Sequence, residues 1–132
     1  IKERKSMREI LFRGKKTKDG EWVEGYYQEC PKDFVHIQNT SNDWFPVFPE
    51  SVGQFTGFTD KNGKRIFEGD IILICGRGPG VIEFCKYSFW RCRNKNIGPY
   101  WSHRLDDEME YEIIGNIYDN PELLEAIIEN VG

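Results

Sequence analysis

Two closely spaced turn signals in residues 52–74 constrain the fold of this chain more than any other feature of its sequence. Asn62-Gly63 is a dipeptide that tolerates positive φ at both central positions of a turn, and Glu68-Gly69-Asp70 forms a second turn signal. A short run of β-branched and apolar residues follows at 71–74. The stretch therefore predicts turn, strand, turn and strand. It identifies no reaction.

The same pattern of short strands separated by turns extends over most of the chain. Residues 7–53 show a turn signal about every ten residues, which predicts a meander of short β elements. Pro46 and Pro49 make the last strand of this part an edge strand or an irregular one. The final strand is predicted at residues 111–118, with Gly115 as a possible β-bulge.

One α-helix is predicted, at the end of the chain. Asn120 can cap it, Pro121 suits the first helical position, and Glu122 complements the positive end of the helix dipole. The helix is expected to pack its apolar stripe on the sheet or on a neighbouring subunit. That stripe consists of Leu123, Leu124, Ile127, Ile128 and Val131.

The middle of the chain resembles the first hairpin of SH3-like barrels, with Gly69-Asp70-Ile71-Ile72, a glycine-rich loop, and then Gly80-Val81-Ile82-Glu83-Phe84. We therefore predict a mainly β fold of two small β subdomains with SH3-like barrel character, plus one C-terminal α-helix. The predicted parts are an N-terminal β subdomain at residues 7–53, an SH3-like β-barrel subdomain at 54–120, the helix at 121–131, and a tag or upstream extension at 1–6.

The charge of the chain is unevenly distributed. The chain has 18 Lys and Arg against 22 Asp and Glu, a formal net charge of −4, which does not favour general nucleic-acid affinity. By count, residues 75–104 carry six basic groups and one acidic group, whereas residues 105–132 carry nine acidic groups and no basic group. The basic middle and the acidic end are expected to interact with each other or with partners.

The sequence predicts a cytoplasmic protein without a membrane segment. No apolar stretch approaches the roughly 20 residues that span a bilayer, and the charged N-terminus has no apolar region behind it. The four cysteines form no C-x-x-C pair, and a reducing cytosol keeps them as thiols. A zinc site from Cys75, Cys85, Cys92 and His103 would lack the paired spacing of structural zinc, so neither a metal nor another cofactor is expected.

A basic and aromatic segment at residues 86–104 is the one stretch with a chemical case for binding. Cations that contact phosphates, interleaved with rings that stack on bases, are typical of single-stranded nucleic-acid grooves. Alternatively, the rings face a core and the cations face solvent, paired in part with the acidic residues 106–112. The candidate nucleic-acid or partner-binding residues are Lys86, Arg91, Arg93, Lys95, Trp90, Tyr100, Trp101 and Arg104.

Other motifs favour turns over active sites. The stretch Gly76-Arg77-Gly78-Pro79-Gly80 lacks the Gly-Lys-Ser/Thr ending of a phosphate-binding loop, and Asp60-Lys61-Asn62-Gly63 lacks the acidic twelfth ligand of a calcium loop. Ser102 and His103 are adjacent, so in a strand they would point to opposite faces and could not form a catalytic pair. We predict that the protein is not an enzyme.

Three stretches together resemble the YopX family of small phage and prophage proteins. They are Met7-Arg-Glu-Ile-Leu-Phe-Arg13, the segment from Val52-Gly-Gln-Phe to Glu68-Gly-Asp-Ile71, and Ile114-Gly-Asn-Ile-Tyr-Asp-Asn-Pro-Glu-Leu-Leu124. The resemblance implies a mostly β fold with barrel-like parts, an origin in a bacterial virus or prophage, and self-association. It implies no catalytic residues, because the family has no established enzymatic activity.

The function that follows from these observations is binding. We predict a non-enzymatic, phage-encoded β protein that forms homo-oligomers and engages an unknown host or phage protein in the cytoplasm of a bacterial cell. Aromatic side chains in excess of what a small core holds favour a subunit interface. The alternative is a single-stranded nucleic-acid-binding module that uses residues 86–104.

Overall fold

The computed structural model describes residues 10–29, 34–74, 79–94 and 102–128. These residues form a mainly β protein with two antiparallel sheets and a short C-terminal helix, which confirms the predicted class. The chain divides into two compact units, one ending at Gly57 and the other starting at Phe58. The strands are β1 (Phe12–Lys15), β2 (Trp22–Glu29), β3 (Val35–Gln38), β4 (Trp44–Pro46), β5 (Gly53–Thr59), β6 (Arg65–Phe67), β7 (Asp70–Ile74), β8 (Pro79–Phe84), β9 (Trp90–Arg93), β10 (Ser102–Arg104) and β11 (Tyr111–Asn116).

The sheet of the first unit is organised around the long strand β2. The first half of β2 pairs with β1, and its second half pairs with β3. The change of partner occurs at Gly25, where a Cβ atom would collide with the backbone carbonyl oxygen of Gln38. Glycine is needed here because the neighbouring backbone approaches too closely for any side chain. The strand order of the whole sheet is β4-β3-β2-β1-β5-β6, and β5 crosses the boundary between the units.

The first unit buries a small apolar cluster on one face of its strands. Val35, Ile37 and Val47 are buried in this cluster, and Phe12 and Val23 pack against it. A bridge between Lys16 and Val47 brings the chain after β4 back to the end of β1, and the Phe48 N–H donates to the Lys15 carbonyl at 2.9 Å. The sheet is therefore strongly curled.

A buried serine supports this curled arrangement. The Ser51 hydroxyl, in a short 3₁₀ turn at Pro49–Ser51, accepts a hydrogen bond from the Lys15 N–H at 2.8 Å. The same hydroxyl donates to the Phe48 carbonyl at 2.6 Å. A polar group buried in this way is satisfied on both its donor and its acceptor side.

The second unit contains a five-stranded sheet in the order β10-β9-β8-β7-β11. Four strands form a meander, and the last strand returns to pair beside the first, at the far edge from β10. Within the described residues no ladder joins β10 to β11, so the barrel predicted for residues 54–120 is an open sheet. The core lies on one face and consists of Ile66, Ile72, Ile74, Ile82, Cys92, Leu105 and Tyr111, with Phe58, Trp90, Met109 and Ile113 packed against it.

The first turn signal forms the hairpin turn between β5 and β6 rather than an ion site. The Asp60 carboxylate accepts backbone hydrogen bonds from Asn62 and Lys64, both at 2.9 Å, and from Ile113 of β11 at 3.2 Å. Gly63 alone of the Asn62-Gly63 pair has positive φ, at 83°. The expected turn has positive φ at both Asn62 and Gly63. The observed turn is instead closed by the Asp60 side chain, which accepts hydrogen bonds from the turn's backbone.

The second turn signal links three elements. Gly69 has φ of 91°, its N–H donates to the Ile82 carbonyl at 2.9 Å, and its carbonyl accepts the Ile117 N–H at 2.9 Å. The Asp70 carboxylate accepts the Phe67 N–H at 2.8 Å. Positive φ at Gly69 is the conformation that side chains disfavour, which explains glycine at this position.

The helix α1 (Pro121–Ile128) begins at the predicted proline. Leu123 and Ile114 pack against Ile71 and Val81, so the helix covers part of the sheet face opposite the core. The predicted residues 129–131 lie outside the described part of the chain. Within that described part, no helix is long and apolar enough to cross a membrane.

The side chain of Asn120, predicted to cap the helix, makes a different hydrogen bond. The Asn120 side-chain oxygen accepts the Asn116 N–H at 3.1 Å, while its backbone carbonyl accepts the Leu123 N–H at 3.0 Å. The register of β11 shifts between Ile113 and Gly115, which confirms the predicted bulge. A Cβ on Gly115 would approach the Asn120 side-chain oxygen to 2.5 Å, so a larger residue at position 115 would displace the Asn120 side chain from its hydrogen bond with Asn116.

Replacement of Gly25 by alanine is expected to destabilise the first unit by about 3 kcal/mol, because the added methyl group meets a backbone oxygen that cannot rotate away. Thermal or urea unfolding followed by circular dichroism measures the loss. The matched control is Gly20→Ala, at a turn position with φ of 76° and open space around it. That change should lower the free energy of unfolding by about 1 kcal/mol, because alanine disfavours the left-handed conformation. Equal stability of Gly25→Ala and the unmodified protein would contradict the close approach.

Stability of the second unit is expected to depend on the charge of Asp60. Burial alone would raise the pKa of Asp60, but the backbone N–H donors of Lys64, Ile113 and Asn62 outweigh it and hold the pKa below its ordinary value. As pH falls, Asp60 therefore takes up its proton in the unfolded chain before it does so in the folded chain. The contribution of its charge to the free energy of unfolding is present above about pH 4 and is lost as pH falls through the lower folded pKa.

The variant Asp60→Asn should lack this pH-dependent contribution and be about 2 kcal/mol less stable near pH 7, since hydrogen bonds to a charged acceptor are the stronger ones. Urea unfolding between about pH 2.5 and pH 7 measures both effects. Asp43→Asn, in an exposed turn, is the control and should change stability at neutral pH by less than about 0.5 kcal/mol. A variant curve parallel to that of the unmodified protein would contradict the role of the Asp60 charge.

Candidate functional site

The strand β9 separates the predicted binding residues onto two faces of the second sheet. Trp90 and Cys92 lie on the core face, where Cys92 is fully buried and Trp90 packs against the core cluster. Arg91 and Arg93 lie on the opposite face, because side chains alternate along a strand. Trp90 is therefore mainly a core residue. This part of the segment matches the alternative in which rings face a core and cations face solvent.

The two arginines of β9 share one carboxylate. Arg91 pairs with Glu83 of β8 at 2.6 Å, and Arg93 approaches the same oxygen at 3.6 Å. Glu83 and Arg91 are directly opposite each other in the ladder. For Arg91 and Arg93, the structure therefore shows a pairing across the β8–β9 hairpin in place of the expected pairing with residues 106–112. Glu83 offsets one of the two positive charges.

A third arginine extends this surface onto β10. Arg104 lies opposite Arg91, and Ser102 lies opposite Arg93. The Arg104 guanidinium stands 4.7 Å from the centre of the Phe89 ring, which is a cation–π contact. We call Arg91, Arg93 and Arg104 the arginine face. Its like charges at Arg91 and Arg104 are direct cross-strand neighbours, which is unfavourable unless an anion lies nearby.

The turn between β8 and β9 carries exposed aromatic rings. Tyr87 is 69% exposed and Phe84 is 52% exposed. The Lys86 ammonium lies 5.4 Å from the centre of the Tyr87 ring. We call residues 84–89 the hairpin tip. The basic and aromatic segment predicted at residues 86–104 includes Tyr87 and Phe89, but Phe84 lies just outside it and was missed, although its position beside a turn was a usable signal of exposure.

Three of the predicted binding residues lie outside the described part of the chain. They are Lys95, Tyr100 and Trp101. The same holds for Cys30, Cys75 and most of the glycine-rich loop, whose last residues Pro79 and Gly80 begin β8. Of the predicted set, the structure brings Arg91, Arg93 and Arg104 onto one face, leaves Trp90 on the opposite face, and places Lys86 in the hairpin tip.

The buried side of β10 forms a structural cluster. Tyr111 is buried, and its hydroxyl accepts the Asp106 N–H at 3.0 Å and lies 3.2 Å from His103 Nε2. His103 lies opposite Cys92 in the ladder, while its neighbour Ser102 points to the other face. Burial raises the pKa of the Tyr111 hydroxyl. This arrangement anchors the loop between β10 and β11 and provides no paired nucleophile.

The described residues offer no cluster of metal ligands. Within residues 10–29, 34–74, 79–94 and 102–128, no three His, Cys, Asp or Glu side chains converge to hold a metal ion. Burial, and then the negative charge of Glu83, raise the pKa of the Cys92 thiol to about 12. A thiol that keeps its proton is a poor ligand and a poor nucleophile.

The first unit carries a second candidate surface, which sequence reasoning missed. Phe34, His36 and Trp44 form a row of rings, with centre-to-centre distances of 4.4 Å from Phe34 to His36 and 6.0 Å from His36 to Trp44, both edge-to-face. The row lies on the face opposite the buried Val35 and Ile37. Tyr26 shares this face through the ladder of β2 and β3.

The four residues Tyr26, Phe34, His36 and Trp44 are called the aromatic face. Tyr26 is 52% exposed, and Phe34 and Trp44 are each 48% exposed. The ladder places Gln28, Gln38 and Pro46 among them. The period-two pattern of Phe34, His36 and Gln38 was a usable signal, but the contribution of Trp44 depends on the pairing of β3 with β4.

The family model of the YopX protein matches residues 2–125, which is nearly the whole chain. The chain belongs to the YopX family. The match extends across both compact units and includes the hairpin tip, the arginine face and the aromatic face. It confirms the resemblance of the three motifs. No curated protein matches the chain.

The buried state of Cys92 in this YopX-family protein predicts low thiol reactivity. At about pH 8 a thiol with a pKa near 12 has more than a thousandfold less thiolate than an ordinary cysteine. Brief treatment with iodoacetamide followed by peptide mass spectrometry should leave Cys92 unlabelled in the native protein. The same treatment in urea should label it, which is the control for reagent access. Rapid labelling of native Cys92 would contradict its buried, protonated state.

Proposed function

We propose that this YopX-family chain is a phage- or prophage-encoded, non-enzymatic protein that acts by binding protein, first of all a second copy of itself, in the cytoplasm of the host cell. A further host or phage protein is the partner of the assembled form. The observation that carries the proposal is the aromatic face, with Tyr26, Phe34 and Trp44 each about half exposed.

The composition of the aromatic face supports a protein partner. Tyr, Trp and Phe are enriched in the centres of protein interfaces, and charged residues are depleted there. In a chain with 30% charged residues, the aromatic face together with Gln28, Gln38 and Pro46 carries no formal charge when histidine is neutral. Such a surface gains more from contact with another apolar surface than from contact with a charged polymer.

The absence of formal charge on the aromatic face also supports a second copy as the first partner. A two-fold dimer places the same surface of each copy against the other. Any excess charge in that surface would therefore face a like charge and be repelled. The arginine face would repel a copy of itself in this arrangement, whereas the aromatic face would not. Edge-to-face ring contacts like those from Phe34 to His36 and Trp44 can continue across the interface.

The variant Trp44→Ala is expected to shift the protein from dimer to monomer. An aromatic anchor at the centre of an interface contributes about 2 kcal/mol or more, so the dissociation constant should rise by a factor of about 30 or more. Light scattering coupled to size-exclusion chromatography over a dilution series measures this change. Phe34→Ala should act in the same direction, since its ring belongs to the same row.

The matched control is Tyr87→Ala, which removes a more exposed ring in the second unit and should leave the dissociation constant unchanged. A strict monomer at every concentration would sink the self-association part of the proposal. A chemical activity that survives purification and is lost in His103→Ala would sink the non-enzymatic part.

A further inference from the structure

We infer that the hairpin tip and Arg104 together form a binding site for single-stranded nucleic acid. The site lies in the second unit and does not depend on the aromatic face or on self-association. Its parts are the exposed ring of Tyr87, the half-buried ring of Phe89, and two cations, Lys86 and Arg104, each held against one of those rings.

The rings of the hairpin tip are positioned for stacking. Tyr87 stands at the tip itself and is 69% exposed. The turn is fixed by backbone hydrogen bonds from Ser88 to Cys85 and from Cys85 to Phe89, both at 3.0 Å. Ser88 has φ of 69°, a conformation that the closed turn maintains. The rings are therefore displayed on a defined turn, which lowers the conformational entropy that binding must overcome.

The two cations of the proposed site, Lys86 in the hairpin tip and Arg104 on β10, are positioned beside rings. The Lys86 ammonium is 5.4 Å from the Tyr87 ring, and the Arg104 guanidinium is 4.7 Å from the Phe89 ring. A base that stacks on either ring brings its phosphate within reach of the adjacent cation. Rings that accept bases beside cations that accept phosphates are the features that single-strand-binding proteins share.

The arginine face continues the site along β9. Arg91 and Arg93 lie on one face of β9 because side chains alternate along a strand. Phe89 comes just before β9, and its ring contacts Arg104, the cross-strand neighbour of Arg91. Glu83 holds Arg91 and Arg93 and offsets one of their charges. Counting Lys86, Arg91, Arg93 and Arg104 against Glu83 leaves a local excess of positive charge. The strand thus offers a path for the backbone of a nucleic acid that leads away from the hairpin tip.

The exposed ring of Tyr87 should favour a single strand over a duplex. In a duplex the faces of the bases are stacked on one another and are closed to protein side chains, whereas in a single strand they are open. The chain as a whole has a net charge of −4, which opposes long-range attraction of a polyanion. Affinity should therefore rest on contacts at the hairpin tip and should fall steeply with salt.

The test is fluorescence anisotropy of fluorescein-labelled oligothymidylate of roughly 20 nucleotides, longer than the site of about 4 to 16 nucleotides that one small β domain covers. The unmodified protein should bind in low-salt buffer. Tyr87→Ala should bind about tenfold more weakly, and Tyr87→Phe, which keeps the ring, should bind like the unmodified protein. Arg104→Ala should reduce the slope of log affinity against log salt by about 0.7, the value for one phosphate contact on a single strand.

Two controls separate this site from the self-association surface and from general anion binding. Trp44→Ala, in the first unit, should bind the oligonucleotide as the unmodified protein does, whatever its oligomeric state. Inorganic polyphosphate should compete poorly, because it has no bases to stack. No anisotropy change at low salt, equal binding of a duplex of the same length, or Tyr87→Ala binding as tightly as the unmodified protein would each overturn the inference.

Discussion

The second unit depends on one carboxylate that accepts three backbone hydrogen bonds. Asp60 closes the turn between β5 and β6 through Asn62 and Lys64, and it also receives the N–H of Ile113 from β11, 53 residues further along the chain. The Lys61 N–H donates to the Tyr111 carbonyl at 2.8 Å, so the turn contacts the edge of β11 that does not pair with β7. Each of the hydrogen bonds to the Asp60 carboxylate is stronger than a hydrogen bond to a neutral acceptor would be. The strand β11 is thus held on one edge by β7 and on the other by this turn, although no ladder between described residues joins β11 to β10.

The period-two alternation of side chains determines which residues of the basic and aromatic segment at 86–104 face away from the core. On β9 it sends Cys92 into the core and both arginines to the opposite face. The two alternatives for this segment were rings available for bases and rings facing a core. The structure shows one of each, because Trp90 packs against the core while Tyr87, in the turn, is exposed. The partner of the arginines could not be read from the sequence, since pairing with Glu83 follows from the register of the β8–β9 hairpin. Composition indicated acidic residues 106–112 as partners, but register placed a nearer carboxylate on the adjacent strand.

Features encoded in a few neighbouring residues were predictable. The helix start at Pro121 and the bulge at Gly115 follow from local backbone preferences, and both are present. Features that depend on contacts between distant strands were not. Asn120 was expected to cap the helix, yet its side chain accepts a hydrogen bond from Asn116, because the bulge brings that N–H within reach. The aromatic face was not predicted, because it too depends on contacts between distant strands. Its rings come from β2, β4 and the β3 region, and only the ladders place them together.

The two candidate surfaces differ in the physical force that each would use. The aromatic face lacks formal charge, so its contacts gain from removal of apolar area from water, a gain that added salt does not screen. The hairpin tip and the arginine face rely on cations, and their attraction for phosphates falls as counterions compete. Because each surface is built within a single compact unit, neither needs the other to complete it. Under the two proposals, the chain would assemble through one unit while the other engages an anionic ligand, and ionic strength would distinguish the two contacts without any substitution.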